Sequence, residues 1–164
     1  MGSQVVQRLR RRRDARGAAA VEFALIVIPF CVLLFGMLQY SFYFFSGQSG
    51  ASTAREAARR AAVGDWTCSD LSTNAANGTV LRNGTVAVTR KYYAPTVDPV
   101  ASPNTTRAAG AIKSGDNVRI VMTYKVVDMH FPFIPMPGFG GVRGQLQETA
   151  VARVETVTTK TVAC

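Results

Sequence analysis

The stretch Val21–Phe45, VEFALIVIPFCVLLFGMLQYSFYFF, contains one charged side chain, Glu22, and decides how the chain is organised. A helix rises about 1.5 Å per residue, so roughly 20 apolar residues cross a ~30 Å hydrocarbon core. This stretch is long enough to span with some tilt. It also exceeds the roughly 7–15 residues of a signal-peptide apolar core. Tyr40, Phe42, Tyr43, Phe44 and Phe45 crowd its far end, as aromatic residues do at a membrane–water boundary. Two residues interrupt the plain anchor pattern. Pro29 removes a helical hydrogen bond and favours a kink. Glu22 is costly if it lies deep in lipid. It either sits at head-group level, facing water or an arginine, or awaits a cation from another chain.

Charge flanking this block sets its expected orientation. Arg8, Arg10, Arg11, Arg12, Arg13 and Arg16 precede it, opposed only by Asp14. An arginine cluster on one side of an apolar helix stays in the cytoplasm. The expectation is a single pass through the cytoplasmic membrane, N-terminus inside and C-terminal domain outside. A net charge of +9 would elsewhere suggest nucleic acid. Here much of the excess is a lipid-facing tail beside a membrane helix, so the bilayer and not nucleic acid is the expected partner.

Beyond the block, SGQSGASTAREAARRAAV (46–63) repeats Ala54, Ala57, Ala58, Ala61 and Ala62 on one helical face. That face packs either on this chain's own sheet or on a helix of another subunit. Gly64-Asp65 is expected to end the helix. Strand signals follow. Asn83-Gly84 between Thr79–Leu81 and Thr85–Tyr93 predicts a hairpin. Asn117–Val127 alternates, with Val118, Ile120, Met122, Tyr124 and Val126 sharing a face, and Gln145–Thr159 is a third strand candidate. The proline-bearing segment Ala94–Asp116 reads as a surface loop. The predicted fold is α+β: a basic leader over 1–17, a transmembrane and extended helix over 18–64, and an exported domain with an antiparallel β-sheet over 65–164.

Cys68 and Cys164 both fall on the exported side, where disulfides persist. They are either bonded to each other or left as two free thiols, while Cys31 lies within the apolar block. Phe131-Pro132-Phe133-Ile134-Pro135-Met136-Pro137-Gly138-Phe139 excludes helix and sets Phe131, Phe133, Ile134, Met136 and Phe139 on a stiff loop. That loop either tucks onto the core or the membrane surface, or offers an apolar contact to a partner. The single histidine, His130, has no triad or metal-ligand spacing around it, and no glycine loop is placed to cradle phosphate. No enzyme activity, cofactor or metal is expected. The sequons at Asn77, Asn83 and Asn104 read as coincidence in an Asn- and Thr-rich chain.

The junction Arg16-Gly17-Ala18-Ala19-Ala20-Val21-Glu22-Phe23 resembles a type IV prepilin-like cleavage site. With RGAAAVEFALIVIPFCVLLFGMLQY and ASTAREAARRAAVGD, it is similar to the N-terminal half of TadE-like proteins, including TadF-like members. These are pseudopilins of the tight-adherence (Tad, or Flp) pilus system. The resemblance rests on Arg16, Gly17, Ala20, Val21, Glu22, Phe23, Ala24, Pro29, Phe35 and Gly36, then on Ala54–Arg59. A weaker echo lies in Gln147–Glu155.

The resemblance implies a prepilin peptidase cutting between Gly17 and Ala18. Glu22 becomes the fifth residue of the mature chain and neutralises the new α-amine of a neighbouring subunit. Phe23 and Pro29 belong to the same assembly helix. Expected partners are the peptidase, other pilins or pseudopilins and the inner-membrane assembly platform. The competing expectation is an uncleaved signal-anchor envelope protein with an exported binding domain.

Overall fold

The structure is a computed structural model that describes residues 3–108, 110–131 and 134–164, with side chains from Gly17 onward. Its axis is one helix, α1 (Ser3–Ala62), which at about 1.5 Å per residue is roughly 90 Å long. Pro29 lies within it. Five further elements follow: α2 (Cys68–Gly78), β1 (Arg82–Tyr93), β2 (Asn117–Val126), a 3-10 turn (Phe139–Gly141) and β3 (Gln145–Arg153). The strands form an antiparallel sheet in the order β1-β2-β3. The architecture is therefore the expected α+β one.

Sheet and helix meet through the alternation of β2. Val118, Ile120, Met122, Tyr124 and Val126 are all buried toward the helices. They pack with Ala54, Ala57, Ala58, Ala61 and Ala62 of α1, Leu71 and Ala75 of α2, Tyr92, Ala150 and Val154. The alanine stripe thus packs on the chain's own sheet. Small side chains there let the backbones approach. A Cβ on Gly50 would lie 1.9 Å from the Tyr124 hydroxyl oxygen, and one on Gly78 would lie 2.3 Å from Thr53 Oγ1.

Three local expectations are corrected. Asn83-Gly84 makes no hairpin turn. Both residues lie inside the single strand β1, where the register slips between Asn83 and Ala87 as a bulge, with Gly84 at φ +90°. The stretch after Trp66 is helical before it is extended. Thr67 caps α2 while Asp70 accepts from the Thr67 backbone N–H, a capping box in Thr-x-x-Asp form. Finally, β3 stops at Arg153 and does not run to Thr159, because the next residues bond to the end of α1. The N–H groups of Glu155 and Thr156 donate to Ala62 O, the Thr156 hydroxyl to Val63 O, and the Thr158 hydroxyl to Gly64 O. Carbonyls that a helix end leaves unpaired are satisfied this way. Gly64, at φ +67°, closes the helix as expected.

Candidate assembly site: the bare helix and its junction with the domain

From Gly17 to Leu34, α1 has no packing partner among the described residues. The helix from Gly17 is long and apolar enough to cross a membrane, and its most apolar 18-residue window has no buried residue. Phe23, Leu25, Ile26, Ile28 and Leu33 are each more than 60% exposed. Large apolar side chains exposed all round a helix suit lipid or neighbouring helices and not water. Glu22 and Phe23 stand on this bare half, with Ala18 one turn before Glu22 and Pro29 two turns after it. Gly17 lies within continuous helix, and among the described residues no side chain approaches its Cβ position. A protease acting there must first unwind a turn, which glycine makes easier by about 1 kcal/mol relative to alanine.

The C-terminal domain grips α1 at Gln39, about 33 Å of helix beyond Gly17. That distance matches one hydrocarbon thickness. Gln39 is 1% exposed. Its Nε2 donates to Val127 O and to Met136 Sδ, both at 3.2 Å, and its Oε1 accepts from the Met129 N–H at 3.0 Å. At the next residue, the Tyr40 hydroxyl donates to Pro135 O. Gln39 escapes a search for ionisable or catalytic residues. The available signal is a long amide deep in an apolar block, which needs partners wherever it is buried.

The proline loop closes on this junction. Phe131 stacks on Phe35 with ring centroids 5.1 Å apart. The Ile134 side chain would meet a Cβ on Gly36 at 3.8 Å, and Ile134 and Met136 are both buried. Phe139 is half exposed, and Phe133 lies outside the described residues. The loop is tied at its base by Arg143, whose Nε donates to Asp128 Oδ2 at 2.6 Å. Burial pushes the Asp128 carboxyl up, but the Arg143 bonds and the His130 N–H outweigh it and hold it below the ordinary aspartate value.

Above the junction, the remaining small positions of the helix also face the chain's own domain. Gly47 sits against Leu146 and Glu148, and Gly50 lies beneath Tyr124. The Tyr124 hydroxyl donates to Ser46 O at 2.9 Å, and burial raises its pKa to about 12, so it stays a donor at any ordinary pH.

At the opposite pole Cys68 and Cys164 are bonded, with Cα atoms 6.0 Å apart. Beside them lies Arg90, fully buried in β1. Its guanidinium donates to Val162 O, Trp66 O and Lys160 O at 2.6, 2.8 and 3.0 Å. Among the described residues it has no carboxylate partner, and burial lowers its pKa. A cation surrounded by carbonyl dipoles from two separate segments fixes the 160–164 tail across β1. Backbone bonds between Arg90 and Cys164 run in both directions. Sequence reading missed Arg90 because its bonding partners are mostly backbone carbonyls, joined by the Cys68 sulfur, and all come from other segments of the chain.

The site residues therefore fall in three places. Gly17, Ala18, Glu22, Phe23 and Pro29 share the bare helix. Phe131, Ile134 and Met136 join α1 at Phe35–Tyr40, and Cys68 and Cys164 lie at the far end of the domain. Among the described residues no cluster of three or more His, Cys, Asp or Glu could hold a metal.

Residues 17–59 match the model of the family described as TadE-like protein. No curated protein and no solved structure matches the chain. The matched segment covers the bare half of α1 and most of the half that packs on the sheet, and it stops short of the sheet itself.

Proposed function

We propose, from a TadE-like segment carried on an apolar membrane anchor, that this protein is a pseudopilin or minor pilin of a Tad-type pilus apparatus. It is trimmed after Gly17 by a prepilin peptidase and acts in assembly or priming. Residues 1–17 are the leader, 18–64 the transmembrane and extended helix, and 65–164 the exported domain, with the N-terminus inside and a single pass. Cleavage would create an α-amine on Ala18 near Glu22 of a neighbouring subunit, and two opposite charges at a lipid boundary attract far more strongly than in water. Other pilins and the assembly platform would meet the bare helix. Of the loop's described apolar side chains Phe139 stays most open, so a partner contact there would fall mainly to it.

The observation that carries this reading is the division of α1. The domain packs on α1 from Phe35 onward, leaving about 27 Å of helix from Gly17, with Glu22 on it, unpartnered among the described residues. The test is the intact mass of membrane-extracted protein with and without a co-expressed prepilin peptidase. Loss of residues 1–17, abolished by Gly17→Ala, is expected. Glu22→Val should leave insertion and trimming intact while blocking co-purification with other pilins. An unchanged mass, with the peptidase shown to act on a second substrate, would overturn it in favour of an uncleaved anchor with a binding domain.

A further inference from the structure

The face of the sheet turned away from α1 is built unlike a plain solvated surface. The register sets Lys91 of β1 directly opposite Arg119 of β2. Like charges in directly opposed cross-strand positions destabilise a sheet. The same face carries Lys125 of β2 and, opposite Asn117, Arg153 of β3. The strand positions that share it are otherwise Asn83, Ala87, Thr89, Tyr93, Val121, Thr123, Gln145, Gln147, Thr149 and Val151, so none is an acid. Among the described residues no carboxylate lies within ion-pair distance of Lys91 or Arg119.

A concavity of about 210 Å³ opens at this pair, lined by Thr89, Lys91, Tyr93, Arg119, Val121 and Gln147. Arg119 Nε is buried with no hydrogen-bond partner. A buried, unpaired donor on a cation is costly. The floor is rigid, since Tyr93 is fully buried and its hydroxyl donates to Pro103 O at 3.0 Å. Hydroxyl, amide, ammonium and guanidinium donors thus converge on a pocket without an anion.

We propose that this pocket is an oxyanion site that takes a phosphate or carboxylate group of an anionic polymer outside the membrane. Arg119 supplies a planar donor fork for two oxygens, and Lys91 supplies a point charge across the strand. Thr89 and Gln147 complete the donors. Arg153 continues the positive charge along the face beside the pocket, so a chain of repeating anions is held better than a lone ion. This inference does not depend on the pilus reading, because the pocket lies wholly outside the TadE-like segment.

The test uses the full chain in a zwitterionic detergent. Binding of short-chain polyphosphate, of oligogalacturonate and of neutral dextran is measured by titration calorimetry at low and at physiological salt. At least one of the two anionic probes should bind, and which one binds identifies the oxyanion; dextran should not. Lys91→Gln and Arg119→Gln should each weaken binding about tenfold or more. Lys125→Gln, roughly 20 Å along the strand from Arg119, removes the same net charge and should change binding by less than about threefold. Lys91→Gln should leave Tm equal to or above that of the parent chain, since it relieves the opposed charges; a residue kept for the fold would lower it. Absence of binding to both anionic probes, or equal losses for all three variants, would overturn the proposal.

Discussion

The two halves of α1 are one continuous helix in two solvents. Toward the N-terminus the side chains are large, apolar and exposed all round, as in Phe23, Ile26, Phe30 and Leu33. Beyond Gln39 one face turns small and buried, through Ser46, Gly50, Thr53, Ala54, Ala57, Ala58 and Ala61. The second half is held by tertiary packing, which supplies most helix stability in proteins. The first half can be held only by what surrounds it, namely lipid or other helices. Apolar content alone cannot tell the two apart. Side-chain size can, because a sheet packed closely on a helix demands small residues and a lipid tail does not.

The largest expected effect comes from releasing the top of the covered half. Cys68→Ser with Cys164→Ser opens a 96-residue link and should cost about 2–5 kcal/mol of domain stability. Hydrogen exchange should then rise at Ala57–Gly64, whose end the 155–158 segment caps, and stay unchanged at Leu25–Leu34. Equal change in both halves would break the comparison.

Next is Gly50→Ala. In an open helix it would stabilise by roughly 0.5–1 kcal/mol. Here the new methyl meets the Tyr124 ring, and a loss of about 1–3 kcal/mol by thermal unfolding is expected. Leu33→Ala on the bare half should leave the same transition within about 0.5 kcal/mol.

Gln39→Leu sharpens the boundary itself. It leaves the Met129 N–H and Val127 O without their side-chain partner, at a cost of about 1–2 kcal/mol. Proteolysis should then begin within the 128–143 loop.

The smallest change is Glu148→Gln. Burial beside the helix raises the Glu148 pKa and Arg55 only partly offsets it, so the folded state binds this proton more tightly than the unfolded chain does. The penalty sets in as pH rises past the unfolded value of about 4 and grows until pH passes the raised folded value. The variant should therefore raise Tm slightly at neutral pH and have no effect at pH 3.

Much of the fold was legible because periodicity and punctuation are local. The apolar block, the alanine stripe, the stop at Gly64 and the alternation of Asn117–Val126 each need only a short window. What escaped depends on atoms brought from far along the chain. Asn83-Gly84 carries a turn signal, yet β2 pairs with both sides of it and turns it into a bulge. Cys68–Gly78 is rich in Ser, Thr and Asn, which hides a helix announced only by Thr67-x-x-Asp70. The strand expected to run to Thr159 ends early because its backbone finds carbonyls of α1 instead. In the candidate assembly site, Glu22 and Pro29 stand out as interruptions of the apolar block and Gly17 through the resemblance to a prepilin-like junction, whereas Gln39 and Arg90 could not be marked. Their partners are main-chain carbonyls and N–H groups and two sulfur atoms from distant segments, which no local window advertises. The facing of Lys91 and Arg119 likewise requires the register.

The segment that caps α1 bonds to a helix end made 93 residues earlier, as Thr156 does to Val63. Synthesis delivers these parts in a fixed order. The helix is made first, with its alanine face open, and that face is covered only once β2 and β3 have followed. During that interval the helix presents a smooth, small-residue surface to whatever is near. The time needed to deliver the sheet, rather than final stability, then sets how long this face stays open.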